Sequence, residues 1–287
     1  MFKSWLRCDS VNQPLIYAAV FMRNRSVSMT VDEYHLLPFE PGWKCEYWDG
    51  RAHYSPRHHA VVTTIAVAPR DVNTDCLLRQ PAESDIERLT PVYVAAFRET
   101  IEYFGYSRKQ ITEAARRDLT NYFARRHGQP TSASCLAIAP GSNPDEETFA
   151  GAAMVTSTEN GPLLYLLFVA PEWQRRGVAA AMVSAAINEL QDLGEKTLNS
   201  KYHIGNERSM AWHQRFGFVE EPDLQRARLY LRQAKVELWR REKIGSLTEE
   251  ERAKLTADAE RWEAEVEKLQ RIEDLLGFGA VHPMMRW

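Results

Sequence analysis

Between Leu163 and Ala180 the chain reads LLYLLFVAPEWQRRGVAA, an apolar strand that passes through Pro171 into Gln174-Arg175-Arg176-Gly177-Val178-Ala179-Ala180. Residues of these types in this order suit a bound pyrophosphate. Gly177 and Ala179 carry almost no side chain, so backbone N–H groups can approach an anion closely, and the start of the following helix adds unpaired donors and a partial positive charge. Arg175 and Arg176 add two permanent positive charges, which favour a phosphate over a neutral ligand. A basic strand-to-helix turn that holds no ligand is the plainer alternative, and six residues alone do not separate the two.

The elements that would position this turn follow from periodicity. Leu77-Leu-Arg-Gln reads as a short strand, and Pro81-Ala-Glu-Ser-Asp opens a helix with Ile86, Leu89, Val92, Tyr93 and Phe97 at helical spacing. A second helix is expected between Arg108 and Arg126. Strands are expected at Ser134–Ala139 and Thr148–Ser157, separated by a turn over Pro140–Glu147. After the turn at Gly177 come a helix over Ala179–Leu193 stopped by Gly194, a strand over Thr197–His203 and a short helix over Ser209–Arg215 ending at Gly217. That order implies an α/β fold with a mixed central sheet flanked by helices.

The flanking regions differ from this core. Residues 1–74 hold a β-hairpin around Asp49-Gly50 and a β-branched strand over Val61–Ala68. Residues 223–276 read as an antiparallel helical hairpin. Thr248 caps its second helix, in which Leu255, Ala259, Trp262, Val266 and Leu269 form a coiled-coil seam suited to packing or to pairing two copies.

A formal charge of −3 and a pI near 6.3 remove the global argument for nucleic-acid binding. No apolar run reaches the roughly 18–20 residues that span a bilayer, and Leu15–Met22 is too short. Cys8, Cys45, Cys76 and Cys135 are scattered, without metal-ligand spacing, and fit the reduced thiols of a cytoplasmic protein. His58-His59 lacks partner ligands, so no metal is expected.

Residues 75–222 resemble the GNAT superfamily of acyl-CoA-dependent N-acetyltransferases. The likeness rests on Gln174-x-x-Gly177-x-Ala179 after the fourth strand of that core, and on Asn206-Glu-Arg-Ser209-Met-Ala-Trp-His213-Gln-Arg-Phe-Gly217-Phe218 closing it. The resemblance implies direct acetyl transfer from acetyl-CoA to a small-molecule or peptide amine. It also implies that the fourth and fifth strands splay apart, exposing backbone near Phe168 and Val169 to the pantetheine. The turn from Gln174 through Arg175, Arg176, Gly177, Val178, Ala179 and Ala180 would take the pyrophosphate, and Asn206 and Ser209 would touch the cofactor from the far wall. A longer acyl donor, a non-amine acceptor or a CoA-binding module without turnover are the alternatives.

In many relatives a carboxylate on the fourth strand serves as base, but Leu163–Val169 contains none. Glu102, Tyr103, Tyr165 and His203 are the residues left to relay a proton. Many relatives also place a tyrosine where this chain has His213, making His213 a possible acid for the departing thiolate or else a packed histidine beside Trp212. The resemblance requires a last strand, for which residues 277–287 are expected. The N-terminal hairpin is expected to extend the sheet or to cover the acceptor pocket.

Overall fold

The computed structural model describes residues 26–141 and 147–275. Its N-terminal part runs β1 (Ser26–Ser28), α1 (Val31–His35), β2 (Trp43–Trp48), β3 (Arg51–Pro56) and β4 (Ala60–Ala66). There follow β5 (Leu77–Arg79), α2 (Ile86–Phe97), α3 (Arg108–Phe123), β6 (Gln129–Pro130), β7 (Cys135–Ile138), β8 (Phe149–Thr158) and β9 (Gly161–Val169). The remainder is α4 (Val178–Asp192), β10 (Thr197–His203), α5 (Glu207–Phe216), β11 (Val219–Glu220), α6 (Leu224–Lys243) and α7 (Glu249–Leu275).

The expected hairpin forms because Asp49 and Gly50 both take positive φ, 53° and 68°, which twists β2 and β3 into register. With β1 they make a separate three-stranded sheet. The main sheet has the order β11-β4-β10-β9-β8-β7-β5, with β6 beside β8. It is mixed, since β9 and β10 run parallel while their other neighbours pair antiparallel.

Alternation along the strands divides the core. Cys135 and Ala137 of β7, with Ala153 and Val155 of β8, face α4, where Val178, Met182, Val183, Ala186, Ile187 and Leu190 are buried. Leu136, Ile138, Ala152 and Met154 face the other way, against Leu89 and Tyr93 of α2 and Ile111, Ala115 and Leu119 of α3. Helices therefore cover both faces of the sheet.

The last strand of the sheet was expected from residues 277–287, which lie outside the described residues. The edge of β10 away from β9 is held by β4, which pairs with the whole of β10 from Thr197↔Ala66 to His203↔Ala60. The N-terminal region is thus only partly an appendage, because its last strand belongs to the central sheet. α6 packs against this added strand through Leu229 and Tyr230, which meet Val61, Tyr202 and Ile204. The seam of α7 closes on α6 within the chain: Trp262 stacks on Tyr230, while Leu269 is buried with Leu224 and Ala227. Among the described residues no helix is long and apolar enough to cross a membrane.

The N-terminal sheet is anchored where Gly42 meets Gly205. A Cβ built on Gly42 would lie 2.3 Å from the Gly205 Cα, and one on Gly205 would lie 2.5 Å from the Ile101 side chain. Backbone cannot yield as a flexible side chain does, so Gly42→Ala should destabilise the protein by about 1–3 kcal/mol. Thermal unfolding checks this; an unchanged melting temperature would show that the two backbones are free to part.

Candidate active site

The centre of the site is the place where β9 and β10 separate. Their parallel pairing covers only Asn199↔Leu163 and Ser200↔Leu164. Beyond Leu164, β9 continues to Val169 alongside β8, and β10 continues to His203 alongside β4, so their facing edges diverge. A bulge falls at the same point: Val155 pairs with Leu164 and Met154 with Leu166, leaving Tyr165 as the extra residue. Its effect on side-chain direction is direct. Leu164 lies in the α4 cluster, whereas Tyr165, Leu166 and Phe168 lie in the cluster under α2 and α3.

The turn after β9 is shaped by two left-handed residues, Arg175 at φ 62° and Gly177 at φ 81°, with Arg176 between them. Alternating handedness of this kind turns successive N–H groups toward one point. Gly177 caps α4 without any side-chain hydrogen bond, and the first bond of the helix is Ala181 N–H to the Gly177 carbonyl, 2.9 Å. The N–H groups of Val178, Ala179 and Ala180 therefore have no partner within the helix. Around them Arg175, Arg176 and Gly177 are exposed, and the Arg176 guanidinium lies 4.9 Å from the centre of the Trp173 ring. Such a turn fits a phosphate group. Gln174 has a different place: its Nε2 donates to the Val169 carbonyl at 3.0 Å, which braces the turn against the end of β9.

On the opposite wall Asn206 caps α5, its Oδ1 accepting from Ser209 N–H at 3.0 Å. Its Nδ2 donates to Glu102 Oε1 at 2.9 Å, joining the far wall to the 3-10 turn Ile101–Tyr103. The other carboxylate oxygen of Glu102 is buried without a hydrogen-bond partner among the described residues. Glu102 also raises the pKa of nearby His203, but burial outweighs it and the imidazole is held below its usual range. His203 accepts from Gly205 N–H at Nδ1 and donates from Nε2 to the Arg57 carbonyl. The N-terminal region thus reaches the site through backbone contacts.

Tyr103 continues the turn toward β9. Its hydroxyl is 2.6 Å from that of Tyr93, which donates to Asp118 Oδ2 at 2.8 Å, so the three form one directed chain with Tyr103 donating first. Burial pushes the Tyr103 hydroxyl up to about 12 and Tyr93 higher, so both stay neutral. The Tyr93 ring sits 5.3 Å from Phe168 on β9. Tyr165 donates to the Asp118 carbonyl at 3.4 Å and stacks on His127, also beside this chain. Sequence spacing marked Tyr93 only as a core position on α2. Nothing local joins it to Asp118, 25 residues away on α3.

His213 lies within α5 and is 4% exposed. Its Nδ1 donates to the Ser209 carbonyl at 2.8 Å, and its Nε2 accepts from the Ser200 hydroxyl at 2.8 Å. Both ring nitrogens are occupied by the fold, and the rings of Trp212, Tyr202 and Phe218 surround it. This burial fits the packed histidine of the two readings. The pair of serines also ties α5 to Ser200, the last residue of β10 that pairs with β9.

Residues 75–219 match the acetyltransferase (GNAT) domain family. The chain belongs to that family. The GNAT domain has solved relatives of distant sequence. The PaiA N-acetyltransferase from Thermoplasma acidophilum, in complex with coenzyme A, is 18% identical over 52% of this chain and 93% of its own, with a TM-score of 0.44. AAC(6')-Iy, in complex with the bisubstrate analogue CoA-S-monomethyl-acetylneamine, is 18% identical over 51% of this chain and 92% of its own, with a TM-score of 0.36. No curated protein sequence matches the chain. Family membership makes the GNAT domain a site of acyl transfer from CoA.

Two outcomes follow from the geometry. A Cβ at residue 177 meets nothing within 4 Å, so Gly177→Val should keep the fold but strain the left-handed turn, weakening CoA binding at least tenfold by calorimetry. Wild-type affinity would mean the turn is not the anion site. Burial holds His213 below its usual pKa of 6.5, partly countered by the Ser209 carbonyl. Its contribution to stability is complete above that value and is lost as pH falls toward the lower folded-state pKa, because the unfolded chain binds the proton first. Melting temperature should therefore drop more steeply between about pH 7.5 and about pH 5 in the wild type than in His213→Gln. Parallel curves would count against the buried neutral histidine.

Proposed function

We propose that the protein transfers an acetyl group from acetyl-CoA directly to a small-molecule or peptide amine, with both substrates bound together. The observation that carries this reading is the open edge between β9 and β10, flanked by the Arg175–Ala180 turn on one wall and Asn206 on the other. Beyond Leu164 the edge of β9 toward β10 has no strand beside it near Phe168 and Val169, and such an edge accepts an extended amide chain as an added strand would, with the Val169 carbonyl already taken by Gln174. The turn offers N–H groups and guanidinium charge to a pyrophosphate, and Asn206 and Ser209 set the start of α5 across from it. The free thiols of Cys45, Cys76 and Cys135 suit a reducing cytoplasm.

Glu102 is the residue we assign to proton removal. Asn206 holds one of its oxygens and leaves the other unpartnered, so the carboxylate is oriented and still has a lone pair for an ammonium. An ammonium gives one proton to Glu102. The neutral nitrogen then attacks the thioester carbon, the C–S bond breaks, and the thiolate takes up the second N–H proton as the amide forms. Tyr165, whose hydroxyl donates to the Asp118 carbonyl, would shape the amine pocket in this scheme. His213, with both nitrogens held by Ser200 and Ser209, supports the position of α5 and β10 and takes no proton-transfer step in this scheme.

Thiol release from acetyl-CoA across a panel of amines tests the assignment. Turnover should appear with at least one primary amine, and Glu102→Gln, which keeps an acceptor for Asn206, should lower kcat by about 100-fold with little change in the KM for acetyl-CoA. Tight CoA binding with no turnover on any amine would favour a CoA-binding module, and an active Glu102→Gln would move the base elsewhere.

A further inference from the structure

A second cavity lies apart from the acyl-transfer site, between the N-terminal sheet and α6. It encloses about 510 Å³ and is walled by aromatic side chains, among them Tyr34, Phe39, Trp43 and Trp239. That volume falls within the range of pockets that hold small organic molecules. All of its lining residues lie outside the matched GNAT domain, so it is built wholly from this chain's additions.

Its charges do not balance. Lys44 and Glu46 pair with each other at 2.8 Å. Arg57 and Arg232 both rest against the Phe39 ring, at 5.5 and 4.7 Å from its centre, and among the described residues neither pairs with a carboxylate. Arg57 uses Nε to donate to the Trp43 carbonyl at 3.0 Å, which fixes its guanidinium plane while its terminal nitrogens keep their donors. Burial, and then repulsion from Arg232, lowers the Arg57 pKa. The remaining acid, Glu40, is pushed up by burial and by Glu207, toward its neutral form. Two guanidiniums resting against one ring, neither paired with a carboxylate among the described residues, are stabilised by an anion that accepts from both.

We propose that this cavity binds a small flat-ringed anion, an aromatic carboxylate or phosphate, with its ring among Phe39, Trp43 and Trp239 and its acid group between Arg57 and Arg232. The aromatic walls supply stacking surface for the ring, and the guanidiniums fix the orientation of the charged end. One lining residue also touches the neighbourhood of the acyl-transfer site through its backbone: the Arg57 carbonyl accepts from His203, and Arg57 N–H donates to the Gly42 carbonyl at 2.9 Å beside Gly205.

Calorimetric titration with benzoate and phenyl phosphate, and with phenol and inorganic phosphate as the separate halves, tests this without requiring turnover. At least one aromatic anion should bind saturably and tighter than either half, with the better of the two reporting the head group. Arg232→Glu, at an exposed position, should weaken it at least tenfold, and Val236→Trp, which fills the cavity and leaves both arginines, should abolish it. Thermal unfolding of both variants checks that they fold. No binding by either anion, equal binding by Arg232→Glu, or displacement of the probe by CoA would overturn the proposal.

Discussion

The site depends on β9 and β10 sharing hydrogen bonds over two residue pairs and no further. A parallel pair that stops short leaves backbone donors and acceptors facing a gap, and each such group costs about 1–3 kcal/mol when buried without a partner. The fold sustains the gap because each strand is paired along its other side, β9 with β8 apart from the bulge at Tyr165 and β10 with β4 throughout. The Tyr165 bulge turns β9 at the point of parting, and the hydrogen bond from Asn206 to Glu102 ties the far wall to the turn Ile101–Tyr103. A ligand with its own amides is the natural partner for such an edge.

The parts of this arrangement that were legible in the sequence are those whose signals are local. Gly177 marks the turn because only glycine takes its φ without strain, and Asp49-Gly50 marks the hairpin for the same reason. The helices over Ile86–Phe97 and Val178–Asp192 follow from apolar spacing, and Asn206 was visible as the residue leading α5. What could not be read were partners far apart in the chain. The strand at Val61 was evident from its β-branched residues, yet nothing in it says that it lies against Thr197–His203. Tyr93 looked like any core aromatic until Asp118 came beside it. For His213, the neighbour Trp212 was visible, but the choice between a proton donor and a packed ring rests on Ser200, thirteen residues away on another element.

The role of Gln174 shows how a motif residue can serve its function indirectly. Its amide reaches back to the Val169 carbonyl, so it holds the turn to the strand, and in the proposed role the anion falls to the backbone and the arginines. Arg175 in a left-handed conformation carries a strain of about 1–3 kcal/mol that an ordinary loop would shed. The brace at Gln174 and the packing of Val178 under the sheet are what keep that conformation in place.

The matched domain and the folding unit do not coincide, and the difference bears on the site. A cut at residue 75 would remove β4, the strand that pairs with all seven residues of β10. β10 would then be joined to the sheet through Asn199 and Ser200 alone, and Lys201–His203 would have no strand on either side. Tyr202 and Ile204 would also lose Val61 beneath α6. The far wall of the gap, with His203, Asn206 and the start of α5, hangs from this stretch of β10. The N-terminal strand is therefore part of what makes the GNAT domain's site, although it precedes the region by which the family is recognised.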